Sequence, residues 1–335
     1  MLILKNSDVE ALLNNLSTKD CLALLEQLHN TLRECTTSRH VADSAIHQPA
    51  REVISTKDGN TTLFMPCSVT SSTAIKIVTV SSGGLKGCIN MFSPDGKLLG
   101  LLNAEQITAF RTTLAVMIPY LRFPRQKSNI VVFGAGKQAE WHVRLALLLG
   151  EDVKRITVVN RSSPRGIEAL FETLKKDHQN VRFDVLLKSA DDYDAQLRSR
   201  LEESDVIFCC TPATTPHFPH AYLGVKPRFI SLIGSYKPSM REIDSETLLS
   251  GGTIFVDSKE DCLIEAGELI EAKVSEDQLV EIGDLEGFEK ALASKGSEST
   301  HVFKCVGFAI MDLLVARELL SLAKEKGVGL DIGDI

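Results

Sequence analysis

The chain has no surplus of basic residues: 37 Lys and Arg stand against 44 Asp and Glu, for a formal net charge of -7. A nucleic acid or an acidic membrane selects a basic surface, so neither is an expected partner, although a local basic pocket for a small anion stays open. No apolar run approaches the ~20 residues that span a bilayer. The opening MLILKNSDVEALL has four residues before its first lysine and no small-residue cleavage site, so it does not read as a signal peptide. The eight cysteines are scattered, without the short repeated spacings of a disulfide framework or a zinc site. Reduced thiols in a cytoplasmic protein are the expectation, and Cys209-Cys210, inside an apolar run, reads as packing. Internal repeats, low-complexity segments, a nucleophile elbow, a phosphate-binding loop of the NTPase type and a zincin motif are also absent. His217-Phe218-Pro219-His220 pairs two imidazoles around a proline without further ligands, so no metal is expected.

What is present fits a globular protein of two domains: 335 residues, 44% hydrophobic and 24% charged. Ser7 with Glu10 forms a capping-box pattern before Ala11-Leu12-Leu13, and a second helix after Ser17 places Leu22, Leu25, Leu28 and Leu32 on one face. Between Arg51 and Leu102 the texture changes to short β-like runs separated by turn signals such as Lys57-Asp58-Gly59-Asn60 and Pro94-Asp95-Gly96. An antiparallel meander is expected there. Asn103 then caps a helix that Pro119 should stop near Ile118. From Asn129 strands alternate with helices: NIVVF, ITVVN, FDVLL, DVIFCC, FISLI and TIFVD, a pattern that means a parallel sheet wound on both faces. A long helix runs from Gly307 to about Lys326, with Gly327 as its stop.

The apolar strand Ile130-Val131-Val132-Phe133 feeds the loop Gly134-Ala135-Gly136-Lys137-Gln138-Ala139, and a helix opens straight after it. That context fits a dinucleotide fingerprint. Gly134 permits a tight turn, Gly136 lets the backbone approach a pyrophosphate, and Ala139 takes the place of the third glycine. The helix N-terminus adds N–H donors and the positive end of a dipole. The second strand ends in Asn160-Arg161-Ser162. Asn160 removes the carboxylate that would repel a 2′-phosphate, while Arg161 and Ser162 offer a cation and a hydroxyl, so NADPH is favoured with NADH left open.

Two cations fall where apolar residues belong. Lys76 shares a strand face with Ala74 and Val78, and Arg111 sits on the helical stripe of Ile107, Leu114, Ala115 and Ile118. An unpaired buried charge is costly, so each should meet an anion, line a cavity, or reach an edge. An anionic substrate held by a guanidinium fork would satisfy both; a structural ion pair with a protein carboxylate is the alternative.

Met65-Pro66, Lys76, Ile107–Thr112, Gly134–Ala139, Ile233–Pro238 and His301–Gly307 together resemble, in order and spacing, the ornithine cyclodeaminase/mu-crystallin family over most of the chain. The resemblance implies an α/β protein in which a Rossmann-type doubly wound parallel sheet domain, residues 123–304, is inserted in an α+β substrate-binding and dimerisation domain, residues 1–122 plus 305–335. It implies that Arg51, Lys76 and Arg111 hold the carboxylate of a substrate, with Lys76 and Arg111 at the chemistry, and that Thr211 and Gly234 stand beside the cofactor. Cyclodeaminases of the family carry a catalytic aspartate where this chain has Tyr236. Gly87 and Cys305 also depart, from a common threonine and a common serine. The expectation is an NADPH-dependent reductase of a carboxylate-bearing cyclic imine, giving proline or pipecolate, in a homodimer. The alternatives are a cyclodeaminase or amino-acid dehydrogenase releasing ammonia, and a non-catalytic protein that binds NADPH or a small ligand.

Overall fold

Strand β1 (Leu2–Leu4) leads into two helices whose starts are set by aspartates. In a computed structural model, which describes residues 1–39, 41, 43–162 and 165–333, helix α1 (Asn6–Asn14) is preceded by Lys5, whose backbone N–H donates to Asp8 at 2.9 Å. The expected Ser7–Glu10 box is therefore displaced by Lys5 and Asp8, which start the helix early enough to bury Val9, Leu12 and Leu13 together. Helix α2 (Thr18–Ser38) does begin at Ser17, paired reciprocally with Asp20. Its buried stripe runs Cys21, Leu24, Leu25, Leu28, Leu32, Cys35, so Leu24 takes the place expected for Leu22, which is 45% exposed. The 3.6-residue period favours that choice.

Strands β2 (Ile46–His47), β3 (Glu52–Ser55), β4 (Thr61–Val69), β5 (Ser72–Ser81), β6 (Gly84–Phe92) and β7 (Leu98–Asn103) follow, and β3 through β7 form the expected antiparallel meander. Helix α3 (Ala104–Arg122) opens with Asn103 Oδ1 accepting from Glu105 N–H at 2.9 Å. Pro119 does not end it: the helix continues through the proline. Val116, Met117, Ile118 and Tyr120 are all fully buried around it, and their packing outweighs the loss of one backbone hydrogen bond.

The second part of the chain contains β8 (Asn129–Phe133), α4 (Lys137–Leu149), β9 (Arg155–Asn160), α5 (Arg165–Asp177), β10 (Arg182–Leu187), α6 (Tyr193–Glu203), β11 (Val206–Cys209), β12 (Phe229–Leu232), α7 (Ser245–Leu249), β13 (Ile254–Val256), α8 (Lys259–Glu265), α9 (Gly267–Glu271), β14 (Leu279–Glu281), α10 (Leu285–Lys295) and β15 (His301–Lys304). All eight strands pair in parallel, in the order β10-β9-β8-β11-β12-β15-β13-β14. Central strands such as β11 and β12 are buried at every residue, which is why they read as continuous apolar runs. The order reverses between β8 and β11, and ligands of such sheets lie at that point, outside the carboxyl ends of the strands.

Helix α11 (Ala309–Lys326) and strand β16 (Leu330–Asp331) complete the chain, the helix closing at Gly327 in the left-handed conformation. The chain divides into two compact units, Met1–Leu114 together with the chain from Gly307 onward, and Ala115–Val306. In the first unit the sheet runs β16-β1-β7-β6-β5-β4-β2, with β3 also on β4. Helix α11 packs on β4, β5 and β6, over a face made of Leu63, Met65, Cys67, Ala74, Val78, Ile89 and Met91. Among the described residues no helix is long and apolar enough to cross a membrane.

Candidate active site

Strand alternation turns Lys76 to the same face as Ala74 and Val78, under α11, and the side chain is 1% exposed. Its ammonium meets Asp312 Oδ2 at 2.6 Å, while Arg111 Nε donates to Asp312 Oδ1 at 3.1 Å and Arg111 Nη1 to Met311 Sδ at 3.3 Å. The two cations flagged by the sequence thus share one carboxylate, itself 1% exposed. Arg111 also packs against Gly307: a Cβ added there would stand 2.0 Å from Nη1. Gly307 has φ +73°, so its lack of a side chain serves both the backbone and the guanidinium. Burial brings the Lys76 pKa down to about 7, with Asp312 opposing the fall and Arg111 and Arg51 adding to it. Arg51 is half-buried just before β3. Lys76, Arg111 and Asp312 stand together in this unit.

Asp312 was not among the residues singled out from the sequence. The signal for it was there: it is the one acidic residue in the apolar stretch Ala309–Val315, on the buried side of α11.

In the second unit the loop after β8 has the form a pyrophosphate requires. Gly134 has φ +106°, and a Cβ there would meet Thr211 Cγ2 at 2.9 Å and the Cys210 carbonyl at 3.0 Å. Gly136 caps α4 without any side-chain hydrogen bond, and a Cβ at that glycine would meet nothing within 4 Å. The donors of a helix start are thus paired with an open approach, which fits a dinucleotide. Ala135 is half-buried, and Ala139 is fully buried where the helix packs on the sheet. Lys137 pairs with Glu140 at 3.0 Å, and the Gln138 carbonyl accepts from His142 Nδ1 at 2.7 Å, so these two side-by-side residues serve the helix's first turns. After β9, Asn160 Nδ2 donates to the Ser162 carbonyl at 2.7 Å, folding the loop that presents the exposed Arg161 and Ser162. The expected contact residue Asn160 thus acts on its own loop.

Thr211 and Gly234 follow β11 and β12, at the carboxyl ends of the sheet. They are pressed together: a Cβ on Gly234 would stand 1.7 Å from the Thr211 carbonyl oxygen. Behind them the fully buried Glu242 accepts from the N–H groups of Thr211 at 2.7 Å, Ile233 at 3.0 Å and Gly234 at 2.7 Å. The hydroxyl of Thr211 is 2.6 Å from His217 Nε2, and the His217 ring stacks on Phe133 at 4.5 Å. His220 instead faces Thr247 at 3.3 Å, so the two imidazoles do not converge. Lys304 lies below, with its ammonium on Ser235 and Glu268; burial opposes its charge, but Glu268 and Glu242 outweigh that and hold its pKa above the ordinary value. Tyr236, at the place of the cyclodeaminase aspartate, is half-buried with the Lys237 ammonium 5.7 Å from its ring centre, and burial raises its pKa.

A model of the ornithine cyclodeaminase/mu-crystallin family matches residues 9–327. The chain belongs to that family. Among its relatives, Delta(1)-pyrroline-2-carboxylate reductase of Bacillus cereus is 30% identical over 81% of this chain and 84% of its own. The ketimine reductase mu-crystallin of Rattus norvegicus is 28% identical over 82% of this chain and 85% of its own. A solved structure of the Thermococcus litoralis Delta(1)-pyrroline-2-carboxylate reductase, in complex with NADH and L-proline, superposes with a TM-score of 0.81 at 23% identity, covering 99% of this chain and all of that one, 100%. The shared fold is the ornithine cyclodeaminase/mu-crystallin frame of a Rossmann-type unit inserted in an α+β unit.

Proposed function

We propose that the chain is an NADPH-dependent reductase of a carboxylate-bearing cyclic imine, yielding a cyclic amino acid such as proline or pipecolate. The observation that carries this reading is the meeting of two buried cations, Lys76 and Arg111, on the carboxylate of Asp312. Lys76 and Arg111 are two cations on one carboxylate, which leaves net positive charge for a substrate carboxylate. The pyrroline-2-carboxylate and ketimine reductases among the relatives supply the substrate class. The nicotinamide, when bound through Gly134–Ala139, supplies the hydride that reduces the C=N carbon. Arg51 and Arg111 hold the substrate carboxylate and fix the imine carbon, and such positioning can contribute about 7–11 kcal/mol to a rate. Lys76, with a pKa of about 7, holds a proton at Nζ that it can pass to the imine nitrogen near neutral pH. Arg161 and Ser162 receive the 2′-phosphate, making NADPH the better coenzyme and NADH the weaker one.

The second face of the first unit's sheet carries half-exposed Phe64, Ile75, Ile77 and Leu101. Such an apolar face supports a homodimer built on this unit, with the substrate held by the same unit. Eight free thiols, six of them buried, support a reducing, cytoplasmic location.

One observation favours a second reading, a non-catalytic protein that binds NADPH or a small ligand: Lys76 and Arg111 already have a protein carboxylate for a partner. A cyclodeaminase is disfavoured because Tyr236 offers no carboxylate base. The purified protein should be mixed with NADPH or NADH and with 1-pyrroline-2-carboxylate or 1-piperideine-2-carboxylate, following nicotinamide absorbance. Ornithine with NAD, assayed for ammonia and proline, runs beside it. NADPH oxidation whose KM for the imino acid rises in Arg51→Ala supports the reductase. Proline and ammonia from ornithine overturn it in favour of a cyclodeaminase. Coenzyme binding without turnover in either arm favours the second reading.

A further inference from the structure

The loops after β11 and β12 end at the place where this class of sheet receives its ligand, and one side chain ties them together. We infer that Glu242 is a positioning residue for the dinucleotide, fixing the backbone of Thr211 and of Ile233-Gly234 against the Gly134 turn. The inference rests on the reading of Gly134–Ala139 as a dinucleotide loop.

Both carboxylate oxygens of Glu242 are spent on main-chain donors. Oε1 accepts from the Thr211 N–H at 2.7 Å and lies 3.4 Å from its hydroxyl, and Oε2 accepts from the N–H groups of Ile233 at 3.0 Å and Gly234 at 2.7 Å. The residue is fully buried, so these are charge-assisted bonds shielded from water. The buried ammonium of Lys304 does not take that carboxylate; it sits on Glu268 at 3.2 Å and on Ser235. The held segments touch the coenzyme loop directly. Thr211 Cγ2 and the Cys210 carbonyl fill the space a Cβ of Gly134 would need, and the Thr211 backbone fills that of Gly234. A shift of Thr211 therefore moves or unseats the Gly134 turn. Only a carboxylate suits this post. An amide has one acceptor oxygen, so in Glu242→Gln the side chain would have to release either the Thr211 loop or the Ile233-Gly234 loop and would turn an N–H₂ toward a donor.

The test compares Glu242→Gln and Glu242→Asp with Arg228→Met. Arg228 is equally buried, but it precedes β12 at the opposite end of the strand, where carbonyls of Leu201, Leu223 and Lys226 hold it. NADPH affinity is read from coenzyme fluorescence, Tm from thermal unfolding, and KM for NADPH, KM for the imino acid and kcat from turnover. The expected result is NADPH binding weakened at least about tenfold in Glu242→Gln, with KM for the imino acid unchanged. Glu242→Asp, which keeps both oxygens, should fall between that variant and the parent, and Arg228→Met should bind as the parent does at an equal or lower Tm. If Glu242→Gln does not fold, Glu242→Asp carries the comparison. Affinity within about twofold of the parent, or an equal loss in Arg228→Met, would overturn the inference. A parent protein that binds neither NADPH nor NADH would instead bring down the dinucleotide reading itself, and this inference with it.

Discussion

Replacing Asp312 by asparagine keeps the shape of the side chain and removes the charge that Lys76 and Arg111 share. The contacts at stake are 2.6 and 3.1 Å long, between side chains no more than 4% exposed. Removing one member of a buried ion pair costs about 3–5 kcal/mol, because the remaining charges keep their desolvation and lose their partner. Against an ordinary stability of about 5–15 kcal/mol that is a large loss. Burial holds Lys76 at about 7, with Asp312 as the main upward influence. Without the carboxylate the pKa should fall by a further ~1–3 units. A proton donor works below its pKa, so the rate declines as pH rises through that value, and in Asp312→Asn the decline comes at lower pH. At pH 7 the protonated fraction drops from about one half to about a tenth or less, a loss in rate of about fivefold or more. The stability deficit should widen below pH 7, where folded Lys76 gains a proton that only Asp312 makes tolerable, and narrow above it. Urea unfolding at pH 6 and pH 8 and a pH–rate profile on the imino acid measure both effects. A stability loss under about 1 kcal/mol together with an unmoved pH limb would refute the assignment of Asp312 as the charge partner.

Three further outcomes are expected. Arg161→Ser should raise KM for NADPH by about tenfold or more, the worth of a charge-assisted hydrogen bond, and leave KM for NADH unchanged; equal effects on both coenzymes would remove Arg161 from the 2′-phosphate site. Gly234→Ala places a Cβ 1.7 Å from the Thr211 carbonyl oxygen, so coenzyme affinity and Tm should both drop, and a variant with both intact would contradict the packing. Burial lowers the pKa of His142 to about 4, and burial with Lys295 lowers that of His301 to about 4. The folded state then binds fewer protons than the unfolded chain between about pH 6.5 and 4, so stability is lost as pH falls through that window, on the order of 3 kcal/mol for His142 alone. Denaturation at pH 7 and pH 5 should show a smaller loss in His142→Gln, and an identical loss would count against the histidine's role.

The parallel sheet, the meander and the glycine loop were legible because each rests on local pattern: apolar runs, alternation and turn residues. Lys76 and Arg111 were legible for the opposite reason, as charges that break an apolar pattern. Asp312 could have been noticed in the same way, as an acid in an apolar stretch, but its pairing with them could not, because it lies 236 residues from one and 201 from the other and local periodicity carries no information on such pairings. Glu242 escaped notice for a related reason. It follows Arg241 in a polar stretch that reads as a solvated loop, and only the fold turns it inward onto Thr211 and Gly234. Pro119 failed as a helix stop because the residues flanking it are all buried, and tertiary packing decided what propensity alone would have decided otherwise. Strands β14 and β15 were missed as strands because Glu281, His301 and Lys304 break their apolar runs, and they owe their conformation to neighbours in the sheet.

The helix that roofs β4, β5 and β6 is made only after the whole of Ala115–Val306. During synthesis the first unit therefore emerges as a sheet without its cover, with an apolar face open and with Lys76 and Arg111 still lacking their carboxylate. The inserted unit is continuous in sequence and can close while α11 is still inside the ribosome. Chain order thus allows the later unit to fold ahead of the one that opens the chain, although vectorial folding ordinarily runs from the amino-terminal part. A chain halted before Ala309 would present the complete Ala115–Val306 unit tethered to a sheet whose apolar face is uncovered, the kind of exposed surface that makes a folding intermediate prone to aggregate.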